Sequence, residues 1–217
     1  MTTYPATFPS IVPVSTNFRI NRIVGVTESI FTASQQVFQY SGEYWEVDLQ
    51  MPPMRTSTAR AFVAFLVSLR GYYGSFYLGD FDARTPLGTA SSSAGTPLVN
   101  GASQTGNSLV IDGATSSQTG YLKAGDYIQI GSGSSQRLHM VVADTNTDGS
   151  GNATLSIEPA LRVSPADDTA ITVSNTKGVF RLSSNTTGWD TNSASTYGIS
   201  FTAREVVDTT VGGSGGY

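Results

Sequence analysis

The sequence predicts an all-β fold with one packed helix. A β-sandwich or barrel is built from both ends of the chain, and a small β-barrel or sandwich domain is inserted into it. Three observations carry this. Charged residues make up 13% of the 217, about half the usual share, while Gly, Ser and Thr are abundant, a balance that favours strands and turns over surface helices. Only the stretch TSTARAFVAFLVSLR repeats apolar residues at helical spacing. From residue 108 onward short apolar runs recur at roughly ten-residue intervals with turn residues between them, which is the rhythm of small barrels and sandwiches.

Residues 1–15 carry Pro5, Pro9 and Pro13 with Tyr4, Phe8 and Ile11 between them, an extended arm whose apolar residues dock on something. Strands follow in NFRINRIVGV, SQQVFQY and EYWEVDLQM. In the last, Trp45, Val47 and Leu49 share one face and point inward, while Tyr44, Glu46, Asp48 and Gln50 point away. Ser41-Gly42 separates two of these strands and reads as a tight hairpin turn. Pro52 and Pro53 keep the chain extended up to the helix, Thr56 or Ser57 caps its start, and Gly71 ends it. Phe62, Phe65, Leu66 and Leu69 share one helical face that covers a sheet. Tyr73, Phe76 and Leu78 form the strand that follows, terminated by Gly79 and Asp80.

At Asp80 the composition changes to the small, polar, Gly-rich FDARTPLGTASSSAGTPLVNGASQTGNS, a boundary or a long excursion. Short strands resume in SLVIDG, DYIQIG, RLHMVVA, ATLSIEPAL and TAITVS, then in KGVFRLS and YGISFTAREVV. The tail TTVGGSGGY is flexible by composition. The first half stops with a strand exposed, and its completing strands come only after the excursion. Residues 85–176 therefore read as an insert in a domain made of residues 1–84 and 177–217, with Asp80, Asp82 and Arg84 at the junction.

Composition removes several function classes. The net charge is −4 and no basic stripe occurs, against sequence-specific nucleic-acid binding. With no Cys there are no disulfides, thiolate metal sites or Cys nucleophiles. No apolar run reaches the ~20 residues of a membrane helix, and the N-terminus lacks signal-peptide regions, so synthesis in a cytoplasm is expected. The Gly-Ser runs at 91–95 and 131–135 lack the Lys and helix of a phosphate loop, and no cofactor is expected.

The remaining candidates are weak. His139, the single histidine, shares a strand face with Arg137; a triad built in space stays open, but no nucleophile-elbow sequence accompanies it, and an ordinary strand histidine is the reading. Asp144, Asn146 and Asp148 followed by Gly149 match the first half of a calcium loop, but Leu155 stands where the bidentate Glu belongs, and these residue types also simply make turns. Asp80 and Asp82 are paired carboxylates beside Arg84, which reads as an ion-paired loop or subunit contact. Trp45, Trp189, Tyr44, Tyr72, Tyr73 and Tyr121 form either a sugar-stacking set or core and interface anchors.

The run AFVAFLVSLRGYYGSFYLGDFDARTPLG resembles a motif of phage tail proteins, and the likeness continues in VNGASQTGNSLVIDG, GYLKAGDYIQIG, GNATLSIEPALRVSPADD and SNTKGVFRLSS. These are similar to segments of distal-tail or minor tail proteins of long flexible-tailed phages, prophages and gene transfer agents. The resemblance covers residues 40–207 in order and contains no catalytic signature. It implies a tail-tube-like ring domain with one packed helix, and a hexameric ring between the tail tube and the hub or baseplate. It also implies a lumen that DNA passes without specific binding, a place in the virion, and no enzymatic role. Phe62, Phe65, Leu66, Leu69, Phe76 and Trp45 are then core and assembly residues. A tail-tube or hub-adjacent subunit is the nearest alternative. A module that binds a host glycan or a fibre is the other, and it requires an exposed aromatic patch around Tyr121 or Tyr127.

Overall fold

The computed structural model of the chain describes residues 3–193 and 195–207, and these are all-β with one α-helix. The arm forms β1 (Ala6–Thr7), followed by a long antiparallel hairpin of β2 (Ser15–Glu28) and β3 (Gln35–Gln50). Next come β4 (Met54–Arg55), α1 (Thr56–Ser68) and β5 (Phe76–Leu78). Six strands follow: β6 (Gly95–Val99), β7 (Gly106–Ala114), β8 (Tyr127–Ile130), β9 (Arg137–Val141), β10 (Ala153–Leu161) and β11 (Ile171–Thr172). The chain returns through β12 (Gly178–Leu182), β13 (Asp190–Thr191), β14 (Thr196–Gly198) and β15 (Ser200–Glu205). The tail TTVGGSGGY lies outside the described residues.

The first six-stranded sheet has the order β1-β5-β12-β15-β3-β2 and so joins both ends of the chain. Its central strand β15 pairs antiparallel with β3 on one side and β12 on the other, which is the closure expected of the C-terminal strand. The second sheet, β11-β8-β9-β10-β7-β6, comes wholly from residues 95–172. A bridge between Leu98 and Ala170 joins β6 to β11, and the Val99 N–H donates to the Thr169 carbonyl at 3.0 Å, so this sheet curls into a barrel. β6 falls inside the Gly-rich stretch that reads as an excursion; its alternation is short and a Pro sits within it.

Helix α1 starts without a side-chain cap. Thr56 and Ser57 lie inside its first turn, and Arg55 occupies the cap position in extended conformation. The start is set instead by pairing of β4 with β14, which holds Met54 and Arg55 straight. At the other end the helix stops at Ser68, before Gly71, and Arg70 and Gly71 both take positive φ. Gly71 is required there: a Cβ would meet the Asn185 Oδ1 at 2.5 Å and its Cα at 2.8 Å. Tyr73 belongs to the turn that follows, not to β5, and its ring is exposed.

Phe62, Leu66, Leu69, Phe76 and Trp45 are buried in one core, and Phe65 packs at its margin. The arm docks on this same core. Phe8 stands 5.7–5.9 Å from the rings of Phe62, Phe65, Phe76 and Phe81. The contact is local because β1 adds a parallel rung to β5, bringing Phe8 over the helix end. Truncating Phe8 to alanine should cost about 2–3 kcal/mol, less than at a fully enclosed site, and urea unfolding of the variant would measure it.

Candidate assembly surface and interdomain seam

The hairpin of β2 and β3 outgrows the sheet it belongs to. Strand β15 covers β3 only from Glu46 to Gln50. Beyond Trp45 the two strands continue as a ribbon to Glu28 and Gln35. The reversal lies at Ser29–Ser34, where the Ser29 N–H donates to the Ser34 carbonyl at 2.9 Å and Ala33 takes positive φ. Ser41-Gly42 is therefore not a turn. Three residues of β3, Ser41 to Glu43, stand opposite the single Arg22 in a register irregularity. A Cβ on Gly42 would come within 2.7 Å of the Ile23 Cδ1, an exposed side-chain end that can turn aside.

The ribbon offers apolar side chains on both faces. Cross-strand partners share a face, so Val24, Val26 and Val37 lie on one side and Ile23, Phe38 and Tyr40 on the other, all exposed. At the tip Ile30 and Phe31 are each 93% exposed. Among the described residues no strand pairs with either edge of the ribbon, and a lone two-stranded ribbon is marginal in water. A single charge, Glu28, occurs between residues 23 and 40. The arrangement suits an apolar, edge-pairing contact with another protein surface.

Below the ribbon, the outward face of the sheet is polar, and part of it is internally paired. The Arg19 guanidinium donates to Asp48 and Glu46, and the Thr202 hydroxyl donates to Asp48 at 2.7 Å. The Arg19 hydrogen bond holds the Asp48 carboxyl below its ordinary value. Arg204 lies over the Tyr44 ring at 4.4 Å.

The barrel meets the first sheet along a seam. The Trp45 indole N–H donates to the Leu138 carbonyl at 2.9 Å, and its ring lies 5.7 Å from that of Tyr127. Tyr127 and Leu138 thus enter the core of the first sheet although they belong to residues 85–176. Arg162 bonds the buried Glu205 at 2.8 Å and donates to the Glu43 carbonyl. Glu205 is 1% exposed; burial pushes its carboxyl up against the pull of Arg162 and the Trp45 N–H. Arg22 reaches Glu158 at 3.4 Å and Glu43 at 3.8 Å. Sequence patterns missed this cluster because its members are up to 183 positions apart (Arg22 and Glu205) and no local spacing marks them.

The other sequence candidates are scaffold residues. Asp144 binds Lys123 Nζ at 2.7 Å and the Ala124 N–H, Asn146 accepts from the Gly120 N–H, and Asp148 accepts from the Ser150 and Asn152 N–H groups. The calcium-like half-loop therefore spends its oxygens bracing turns. No group of three or more His, Cys, Asp or Glu suited to a metal occurs among the described residues. His139 is buried with Nδ1 against the Pro159 carbonyl at 2.7 Å, and burial pushes its pKa down to about 4. Arg84 stacks over Phe81 at 5.0 Å instead of pairing with Asp80 or Asp82, while Asp80 accepts from the Asp82 N–H. Burial, then the Asp80 charge, pushes the Tyr127 phenol up.

Tyr121 is 0% and Tyr127 5% exposed, so the aromatic patch expected of a glycan-binding barrel is absent at those positions. Both rings fill the interior, Tyr121 donating its hydroxyl to the Ala94 carbonyl at 2.7 Å; burial pushes its phenol up to about 12. Asp126 is the anchor the sequence did not mark. Its buried carboxylate accepts from the N–H groups of Leu87, Gly88 and Lys123, which ties the incoming chain to the barrel. Its one local signal is an Asp directly before a strand. Searches with protein-family models and against curated proteins return no match for this chain.

Proposed function

We propose that the chain is a structural subunit of a phage tail tip, a distal-tail ring that joins the tail tube to the hub or baseplate and lines the DNA channel. The observation that carries the reading is the ribbon: apolar on both faces, with neither edge paired among the described residues, and longer than the sheet that supports it. A part built to assemble has a use for such an element, whereas a free monomer carries it as an aggregation hazard. The sequence resemblance supplies the phage-tail setting and the hexameric ring. The barrel would sit at the periphery as a scaffold. No helix among the described residues is long and apolar enough to cross a membrane.

Electron microscopy and native mass measurement of the purified chain test this. Rings with a central hole are expected. Replacing Ile30 and Phe31 with serine should weaken assembly at least tenfold without unfolding the subunit, since both side chains are uncovered in the single chain. A wild-type protein that stays monomeric at high concentration would overturn the proposal. Imaging of whole tails distinguishes a distal ring from a tube or hub-adjacent position by location and copy number.

A further inference from the structure

Two arginines of the first sheet lie opposite each other, with Glu46 of β3 on the far side of one of them, Arg204. Arg181 on β12 and Arg204 on β15 are direct cross-strand partners. Like charges in that relation repel. Neither guanidinium forms an ion pair among the described residues. Arg204 rests on Tyr44, and Arg181 buries its Nε without a hydrogen-bond partner. An unmet buried donor on a charged group is costly and calls for an acceptor. A recess of about 320 Å³ opens beside the pair, lined by Tyr72, Val206, Val207 and the two arginines, and by Glu205, whose carboxylate is already held by Arg162. Arg204 and Tyr72 are exposed there, and Val206 is buried.

The ribbon carries the complementary pattern. Glu28 is its one charged residue, exposed and held only by Gln35, and the apolar Ile30 and Phe31 stand two and three positions further on. We propose that the Arg181–Arg204 pair receives the Glu28 carboxylate from the ribbon of a second copy of this chain, with Ile30 and Phe31 of that copy against the recess rim. This rests on the assembly reading and names its contact. A carboxylate accepts from two guanidinium groups at once, so it would remove the repulsion between them. The contact is heterologous, ribbon to recess, which is the kind that closes into a ring.

Charge reversal of the full-length chain tests the pairing, read by sedimentation and mass photometry. Glu28→Arg alone, and Arg181→Glu with Arg204→Glu, should each weaken assembly at least tenfold. Combining all three should restore it, and wild-type assembly should weaken as salt rises. The milder Glu28→Gln and Arg204→Gln, checked by circular dichroism, give the same ordering if a reversed variant fails to fold. Wild-type rings with an unaffected Glu28→Arg variant, or no rescue in the combination, would refute the pairing and leave the ring reading standing. A monomeric wild type would refute both.

Discussion

Leu66→Asp is expected to abolish the folded first sheet. Leu66 sits on the inner face of α1 at 1% exposure, among Phe62, Leu69, Phe76 and Leu182. Removing the side chain alone costs about 3–5 kcal/mol in transfer and cavity terms. The new carboxylate then adds the cost of burying an uncompensated charge, several kcal/mol more. The sum reaches the whole stability of an ordinary domain, about 5–15 kcal/mol. Val67 is the internal control, being one position along the helix and half exposed. Val67→Asp should stay within about 1 kcal/mol of wild type. Circular dichroism and urea unfolding of both variants measure the contrast. A folded Leu66→Asp protein would mean that this helix face is not core.

Arg162→Ala is expected to be the largest loss at the seam. Arg162 is nearly enclosed and is the ion-pair partner of Glu205, so truncation leaves a buried carboxylate with only the Trp45 N–H to receive it. Breaking a buried pair from one side costs about 3–5 kcal/mol. The deficit should depend on pH in a defined direction. Burial already holds the folded Glu205 carboxyl above its ordinary value of 4.5. Losing Arg162 raises it further. A raised carboxyl favours the protonated folded state, so the destabilisation should be small below the ordinary value and grow as pH rises toward the folded value. Urea unfolding across acid and neutral pH reads this slope. Adding Glu205→Gln should return much of the loss at neutral pH, because the buried charge is then gone. A deficit that does not change with pH would assign the effect of Arg162 to packing alone.

Some of this architecture is written in local patterns. The alternation of Trp45, Val47 and Leu49 is enough to place one face of β3 inside, since period two has no other reading in an extended chain. The helical spacing of Phe62, Leu66 and Leu69 likewise names the inner face of α1 before any packing is known. Other local signals mislead. Ser41-Gly42 has turn chemistry, but the same residues also suit a bulge, and only the register of β3 against β2 decides between them. Thr56 and Ser57 are good capping types, yet a strand bridge to β14 places the helix start one residue earlier.

The amino-acid sequence by itself determined the all-β class, the single helix with its buried face, the strands of the barrel other than β6, and the return of the C-terminal strand to the first sheet. The elements follow from periodicity, which side chains impose on their own backbone; the class rests on composition as well, and the return of the last strand on the edge that the first half leaves exposed. Only the tertiary structure decided which apolar residues are covered. Tyr121, Tyr127 and Phe8 are packed within the chain, while Ile30, Phe31 and the rest of the ribbon are left open. It also decided which charges meet, joining Arg162 to Glu205 and leaving Arg181 and Arg204 face to face. Burial and pairing depend on residues far apart in the chain, and no short-range pattern encodes where those come together.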